Sequence, residues 1–282
     1  RTSQFSLTET DTNKQQTNEI QFNLAYPLTK TQTIRTMFLL RNDRRIALTT
    51  HSIDNYLNPK AFKPWAGVHF EYVFNKTQLI GTNLPTGFKA KAFCEFYNGI
   101  DQTDKHIFIF GTDLRKYFKI GKSIIWANRL SYSSSAGNVG LQYYLGSVNN
   151  QLNNHTNNTL ATDNSKEWIF QALATNMRGF NKNARNGNSF ALFNTEVRIP
   201  LLQTLFHLKT NSDFLNNFQI VAFSDIGSAW DGWKFNTSQQ QYLYSQPYGS
   251  INKYAFISRE NPLLVGYGTG IRTTIIGYML KA

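Results

Sequence analysis

Residues 65–74 read Trp-Ala-Gly-Val-His-Phe-Glu-Tyr-Val-Phe and carry the clearest secondary-structure signal of the chain. From Ala66 onward every second residue is apolar or aromatic, whereas the alternate set includes glycine, histidine and glutamate. Successive side chains of a β-strand point to opposite faces, so this pattern predicts a strand with one apolar and one partly charged face. Residues 88–97 and 190–199 alternate in the same way. The sequence therefore predicts an all-β fold.

Strand-like patterns recur along the whole chain of 282 residues, and many are longer than the ~5–6 residues usual in soluble sheets. The candidates are residues 18–27, 31–49, 64–78, 86–98, 104–119, 121–135, 189–200, 216–230, 263–274 and a start at 275–282. A soluble β-sandwich also alternates, and it stays open on pattern alone. Strand length, with short turns at one end and long polar connections at 136–188 and 231–262, favours a transmembrane antiparallel β-barrel formed by one domain over 1–282.

The chain is strongly basic, with a net charge of +12 and a pI near 9.7. An anionic partner is expected, but Lys and Arg are spread along the sequence rather than concentrated in one stripe, which argues against nucleic acid. We expect the cations to serve loops that face lipopolysaccharide and the interior of a barrel. The chain has a single cysteine, and no two of its five histidines stand at the spacing of metal ligands. Neither a metal nor another cofactor is therefore expected.

Two short motifs place charges where they are costly. Met177-Arg178-Gly179-Phe180 lies in the long polar connection at 136–188, and Phe223-Ser224-Asp225-Ile226-Gly227 lies in an otherwise apolar strand. A buried ion pair between Arg178 and Asp225 would account for both charges, and Gly179 would let the loop turn tightly beside them. The alternative is a solvated arginine and an ordinary carboxylate facing the interior; spacing alone favours this alternative.

Five motifs in a fixed order resemble the C-terminal barrel of the BamA/TamA outer-membrane superfamily, which includes the two-partner secretion translocators. They cover about residues 141–282 and are Tyr144-Leu145-Gly146, the Arg178 motif, Asn194 to Leu201, Phe223 to Trp230, and Gly266-x-Gly268-x-Gly270-Ile271-Arg272. The amino-acid sequences at residues 65–67, 125–129 and 172–176 are similar to those of Bacteroidota members that carry a propeller-like periplasmic region before the barrel.

The resemblance implies a barrel of the sixteen-stranded type, only part of which is in this chain, so we expect the sequence to be incomplete at both ends. It further implies that 136–188 is a long extracellular loop folding into the lumen. The implied lumen-loop lock consists of Met177, Arg178, Gly179, Phe180, Phe223, Asp225 and Gly227, with Glu196 as a secondary lumen contact.

The function implied by this resemblance is assistance in the insertion, assembly or translocation of other proteins at the outer membrane of a Gram-negative bacterium. No enzymatic activity is expected. The expected partners are outer-membrane lipids, lipopolysaccharide, client or partner outer-membrane proteins, and a periplasmic region missing from this chain. The main alternative is a non-catalytic barrel that anchors a larger cell-surface or secretion complex, and a barrel fused to an upstream enzyme is a third hypothesis.

Overall fold

The computed structural model describes residues 5–6, 13–47, 63–81, 83–101, 104–148, 157, 160, 168–201, 204, 213–235, 240–248, 252–275 and 278–281. Within these ranges the chain is almost entirely β-structure with one short helix, α1 (Asp213–Asn216). No helix in the described ranges is long and apolar enough to span a bilayer.

Eleven strands form one sheet in which every neighbouring pair is antiparallel. In sheet order they are β1 (Phe5–Ser6), β2 (Asn13–Thr29), β3 (Gln32–Ala47), β4 (Lys63–Gly81), β5 (Leu84–Gly99), β6 (His106–Ile120), β7 (Ile124–Gly137), β11 (Ser189–Pro200), β12 (Gln219–Trp230), β15 (Leu264–Ile275) and β16 (Tyr278–Lys281). The sequence-based strands therefore match the main sheet closely.

The sheet is rolled rather than flat. Asn83, in the turn between β4 and β5, accepts a hydrogen bond from Arg198 Nη1 of β11 at 3.1 Å and lies 3.5 Å from the Thr274 hydroxyl of β15. In a flat sheet β4 and β15, with five strands between them, would lie about 29 Å apart. Because the turn after β4 contacts β11 and β15 directly, the sheet must curve, and one of its faces is concave.

The distribution of polar and apolar side chains between the two faces of the sheet is reversed relative to a soluble domain. On β4 the side chains of His69 and Glu71 are buried on the concave side, whereas Phe70 and Tyr72 on the convex side are 51% and 40% exposed. The same arrangement holds on β12, where Asp225 is fully buried and Ile226 is 40% exposed. A polar interior with an apolar outward band is the pattern of a transmembrane barrel, and the chain is an all-β fold of this type.

A second, smaller sheet packs against the concave side of the first. It consists of β8 (Gly140–Leu145), β9 (Trp168–Leu173) and β10 (Arg185–Gly187), in the order β10-β8-β9, and all three lie within the predicted loop 136–188. Leu141, Tyr143 and Leu145 join a buried cluster with Trp65 of β4 and Leu192 of β11. The predicted loop thus begins inside β7 and contains regular structure; residues 149–156, 158–159 and 161–167 of it lie outside the described residues.

The second long connection, 231–262, also contains strands that periodicity did not predict. They are β13 (Gln240–Tyr248) and β14 (Asn252–Glu260), paired in an antiparallel hairpin. The hairpin is joined to the rest of the structure by Tyr242, whose hydroxyl donates to the Ala229 carbonyl at 2.8 Å, and by a bridge between Leu160 and Tyr244.

Candidate functional site

The segment between β9 and β10 carries the arginine motif onto the concave face. Met177 is completely buried, and its amide donates to the Ser147 carbonyl at 2.9 Å. The Ser147 amide in turn donates to the Phe180 carbonyl at 2.9 Å. These two backbone bonds fix Arg178 and Gly179 between them, and Gly179 adopts a φ of +87°, a conformation that glycine accepts readily. The chain therefore turns tightly with the arginine side chain held over the sheet.

Arg178 and Asp225 form a bidentate ion pair. Arg178 Nε donates to Asp225 Oδ2 at 2.8 Å and Nη2 donates to Oδ1 at 2.7 Å. The Arg178 backbone amide adds a third bond to Oδ2 at 2.9 Å. Asp225 has no solvent exposure, so its charge is compensated entirely by groups of the protein. Such a pair is costly to break because the remaining carboxylate would stay buried without a counter-ion.

Glu196 extends the pair into a cluster. It accepts hydrogen bonds from Arg178 Nη1 at 2.5 Å, Arg198 Nε at 2.6 Å and Arg272 Nη2 at 2.7 Å. We call Arg178, Glu196, Arg198, Asp225 and Arg272 the Arg178 cluster. Its three guanidinium groups outnumber its two carboxylates, and the cluster joins the loop segment to β11, β12 and β15.

The aromatic and glycine residues of the motifs shape the space around Arg178. The Arg178 guanidinium carbon lies 3.8 Å from the centre of the Phe223 ring, a stacked cation–π contact. A methyl group at Gly266 would lie 2.3 Å from the Arg178 carbonyl oxygen, and one at Gly227 would lie 2.5 Å from Leu192. Glycine at 266 is therefore required for the close approach of the segment to β15, whereas a methyl group at 227 would require the end of the Leu192 side chain to shift.

The electrostatics keep Arg178 charged. Burial alone would lower the pKa of its guanidinium, but the hydrogen bonds and charge interactions with Asp225 and Glu196 raise that pKa above its usual value. An arginine that stays charged and is hydrogen-bonded to two carboxylates can hold the loop segment in position, but it is not suited to transfer protons. Among the described residues, no group of His, Cys, Asp and Glu could hold a metal ion.

The structure brings the sequence-predicted residues together. Arg178, Asp225 and Phe223 are in direct contact, Glu196 bonds Arg178, and Phe180 lies against Gly266. Met177 belongs to the buried apolar cluster, and Gly227 lies beside Leu192 of that cluster. Arg198 and Arg272 were not predicted as site residues, although both stand in quoted motifs. Because Arg198 is two residues from Glu196 on one strand, period-two facing would have indicated this contact.

No protein-family model matches the chain, and no curated protein matches it. Among solved structures it is similar to the crystal structure of BamA from Haemophilus ducreyi lacking POTRA domains 1–3, with a TM-score of 0.48 and 10% sequence identity. The match covers 91% of this chain and 55% of that one, so the chain spans about half the length of the BamA chain to which it is similar.

Proposed function

We propose that the chain is part of an outer-membrane β-barrel protein of the BamA/TamA type that assists the insertion, assembly or translocation of other proteins. The observation that carries the proposal is the bidentate bond between Arg178 and the fully buried Asp225, which joins two of the five motifs through which the sequence resembles that superfamily. The reversed polarity of the sheet supports the membrane location.

In this proposal the 136–188 segment is an extracellular loop that folds into the lumen, and the Arg178 cluster locks it there. The chain acts by binding and positioning, without making or breaking covalent bonds. Its partners are outer-membrane lipids, lipopolysaccharide and unfolded or partly folded outer-membrane proteins. We further propose a Bacteroidota source with a periplasmic region preceding the barrel, because the amino-acid sequences at residues 65–67, 125–129 and 172–176 resemble such members.

A second candidate is a barrel that anchors a larger complex without inserting clients. The packing of the concave side favours it, because Tyr143 and Leu145 are buried against Phe190 and Leu192 and leave this part of the interior filled. An interior held closed in this way suits a permanent membrane anchor. The two candidates differ in whether the protein accelerates the folding of another barrel.

The test uses full-length protein reconstituted into phospholipid vesicles, with a small urea-unfolded outer-membrane barrel protein as client. Client insertion is followed by the difference in gel mobility between boiled and unboiled samples. We expect faster insertion than in empty vesicles, and slower insertion by Arg178→Ala than by the matched control Arg35→Ala. Insertion no faster than in empty vesicles would contradict the assembly function and favour the anchor.

A further inference from the structure

The outward face of strands β4–β7 carries an isolated pair of cations. The outward side chains of these strands are apolar, aromatic or neutral polar at most positions, and among the described residues of the four strands Lys76 and Lys116 are the only outward side chains that are formally charged at neutral pH. The carboxylates of the same strands, Glu71, Glu95 and Asp113, lie on the concave side, where each contacts a basic side chain. No carboxylate of these strands can therefore compensate the two lysines.

The strand register brings the two lysines into one row. Lys76 of β4 pairs with Phe88 of β5, and Phe88 pairs with Lys116 of β6. Their backbones are thus separated by two strand spacings, about 10 Å, with an aromatic ring between them. Both lysines are exposed. One negatively charged group above Phe88 would be within reach of both four-carbon side chains.

Aromatic rings continue the surface toward the short turns. Lys116 Nζ lies 5.4 Å from the centre of the Phe118 ring, which lies 5.3 Å from the centre of the Trp126 ring. Trp126 is 42% exposed and its Nε1 donates to the Thr195 hydroxyl at 2.8 Å. Amphipathic rings of this kind mark the membrane–water interface of transmembrane barrels.

The lysines lie near the short-turn edge of the apolar band and slightly inside it, because Ile80, Phe118 and Ile120 continue the band beyond them. Lys76 and Lys116 lie nearer to the short turns that end β4 and β6 than to the opposite ends of those strands. A lysine on the lipid face is much less costly near the interface than at the bilayer centre, because its flexible stem can carry the ammonium group to the headgroups. At that level the available counter-ions are lipid phosphates.

We propose that Lys76, Phe88, Lys116, Phe118 and Trp126 form a binding site for the headgroup of an anionic phospholipid in the leaflet on the short-turn side. The two ammonium groups would contact the phosphate, and the rings would pack against the glycerol and the first methylenes of the acyl chains. The inference rests on the proposed membrane location and adds a specific lipid contact to it. Charge complementarity selects an anionic headgroup over a zwitterionic one.

The experiment measures lipid selectivity of the full-length protein in vesicles. Electron paramagnetic resonance with spin-labelled phosphatidylglycerol and phosphatidylcholine gives the ratio of their association constants at the protein surface. We expect a preference for phosphatidylglycerol, reduced about fivefold by either Lys76→Gln or Lys116→Gln and abolished in the double variant. Lys76→Arg with Lys116→Arg should keep the preference, as should Lys234→Gln, which removes an exposed lysine from the long-loop end.

Two outcomes would overturn the proposal: equal association of both lipids with the wild type, or an unchanged preference in the double variant. Failure of the membrane location itself would be seen separately. In that case the wild-type protein would be removed from the vesicles by an alkaline wash, before any lipid selectivity is measured. A double variant that inserts normally but loses the preference would support the lipid site and leave the proposed function intact.

Discussion

Replacing Arg178 with alanine is expected to release the segment around Met177 from the sheet. The change removes two side-chain hydrogen bonds to Asp225 and one to Glu196. Glu196 keeps two other guanidinium partners, so most of the cost arises at Asp225, which stays fully buried with no counter-ion. Removing one partner of a buried ion pair costs about 3–5 kcal/mol. This corresponds to a shift of about two to four orders of magnitude in the equilibrium between docked and released segment.

Hydrogen exchange on the full-length protein in detergent micelles measures this shift directly. The reporters are the Met177 amide, bonded to the Ser147 carbonyl, and the Ser147 amide, bonded to the Phe180 carbonyl. Both should exchange faster in Arg178→Ala, because local opening exposes them. The control Arg35→Ala removes the same charge from a half-exposed arginine, while Glu71 keeps Lys91 at 3.1 Å. Because Glu71 also keeps His69 as a partner, the change leaves no buried charge without a counter-ion, so the reporters should not respond.

A double-mutant cycle tests whether the two charges act as a pair. Asp225→Ala should also release the segment, and the double variant should cost less than the sum of the single changes by about 0.5–3 kcal/mol. Unchanged exchange of both reporter amides in Arg178→Ala would refute the reasoning. Strict additivity in the cycle would show that the contact between Arg178 and Asp225 contributes nothing to docking.

Substitutions at Gly266 and Met177, each with a milder comparison variant, probe the packing around the cluster. Gly266→Ala would place a methyl group 2.3 Å from the Arg178 carbonyl oxygen, so the Met177 and Ser147 amides should exchange faster. Gly268→Ala would place one 3.1 Å from the Phe223 ring and should have a smaller effect. Equal effects of the two substitutions would contradict the argument that Gly266 permits a close backbone approach. Met177→Ala should lower the free energy of unfolding by about 2–5 kcal/mol in urea titrations followed by tryptophan fluorescence, and Met177→Leu by less than about 1.5 kcal/mol. Wild-type stability of the alanine variant would mean that the fully buried Met177 is not tightly packed.

The main sheet was predictable because its signal is local. A strand with lipid on one face and polar groups on the other alternates strictly, so residues 86–98 were predicted within two residues of β5 (Leu84–Gly99). The inner strands give no such signal. Five of the six residues of β8 (Gly140–Leu145) are buried, and this strand has no outward face to alternate against. Its strand character depends on its packing against the larger sheet, which periodicity does not report.

The candidate site was predictable in part. The cost of burying a single charge made a pair between Arg178 and Asp225 one hypothesis, but spacing alone favoured a solvated arginine. Only the resemblance to the BamA/TamA superfamily implied the pair. Arg272 lies 76 residues from Glu196 in sequence, and only the register of β12 with β11 and β15 brings the two side chains together. Contacts between strands so far apart in sequence are fixed by the topology of the sheet, which no local pattern contains.

The pairing of β7 with β11 has a consequence for the order of folding. Strands β2 and β3, β4 and β5, and β6 and β7 are joined by tight turns and can pair without closing a long loop, whereas β7 and β11 are separated by residues 138–188. Closing so long a connection carries an entropic cost that must be met before the new ladder is formed. If the inner strands dock first, Arg178 carries the chain to within bonding distance of Asp225, and nucleation of the β7–β11 ladder becomes a nearly local event.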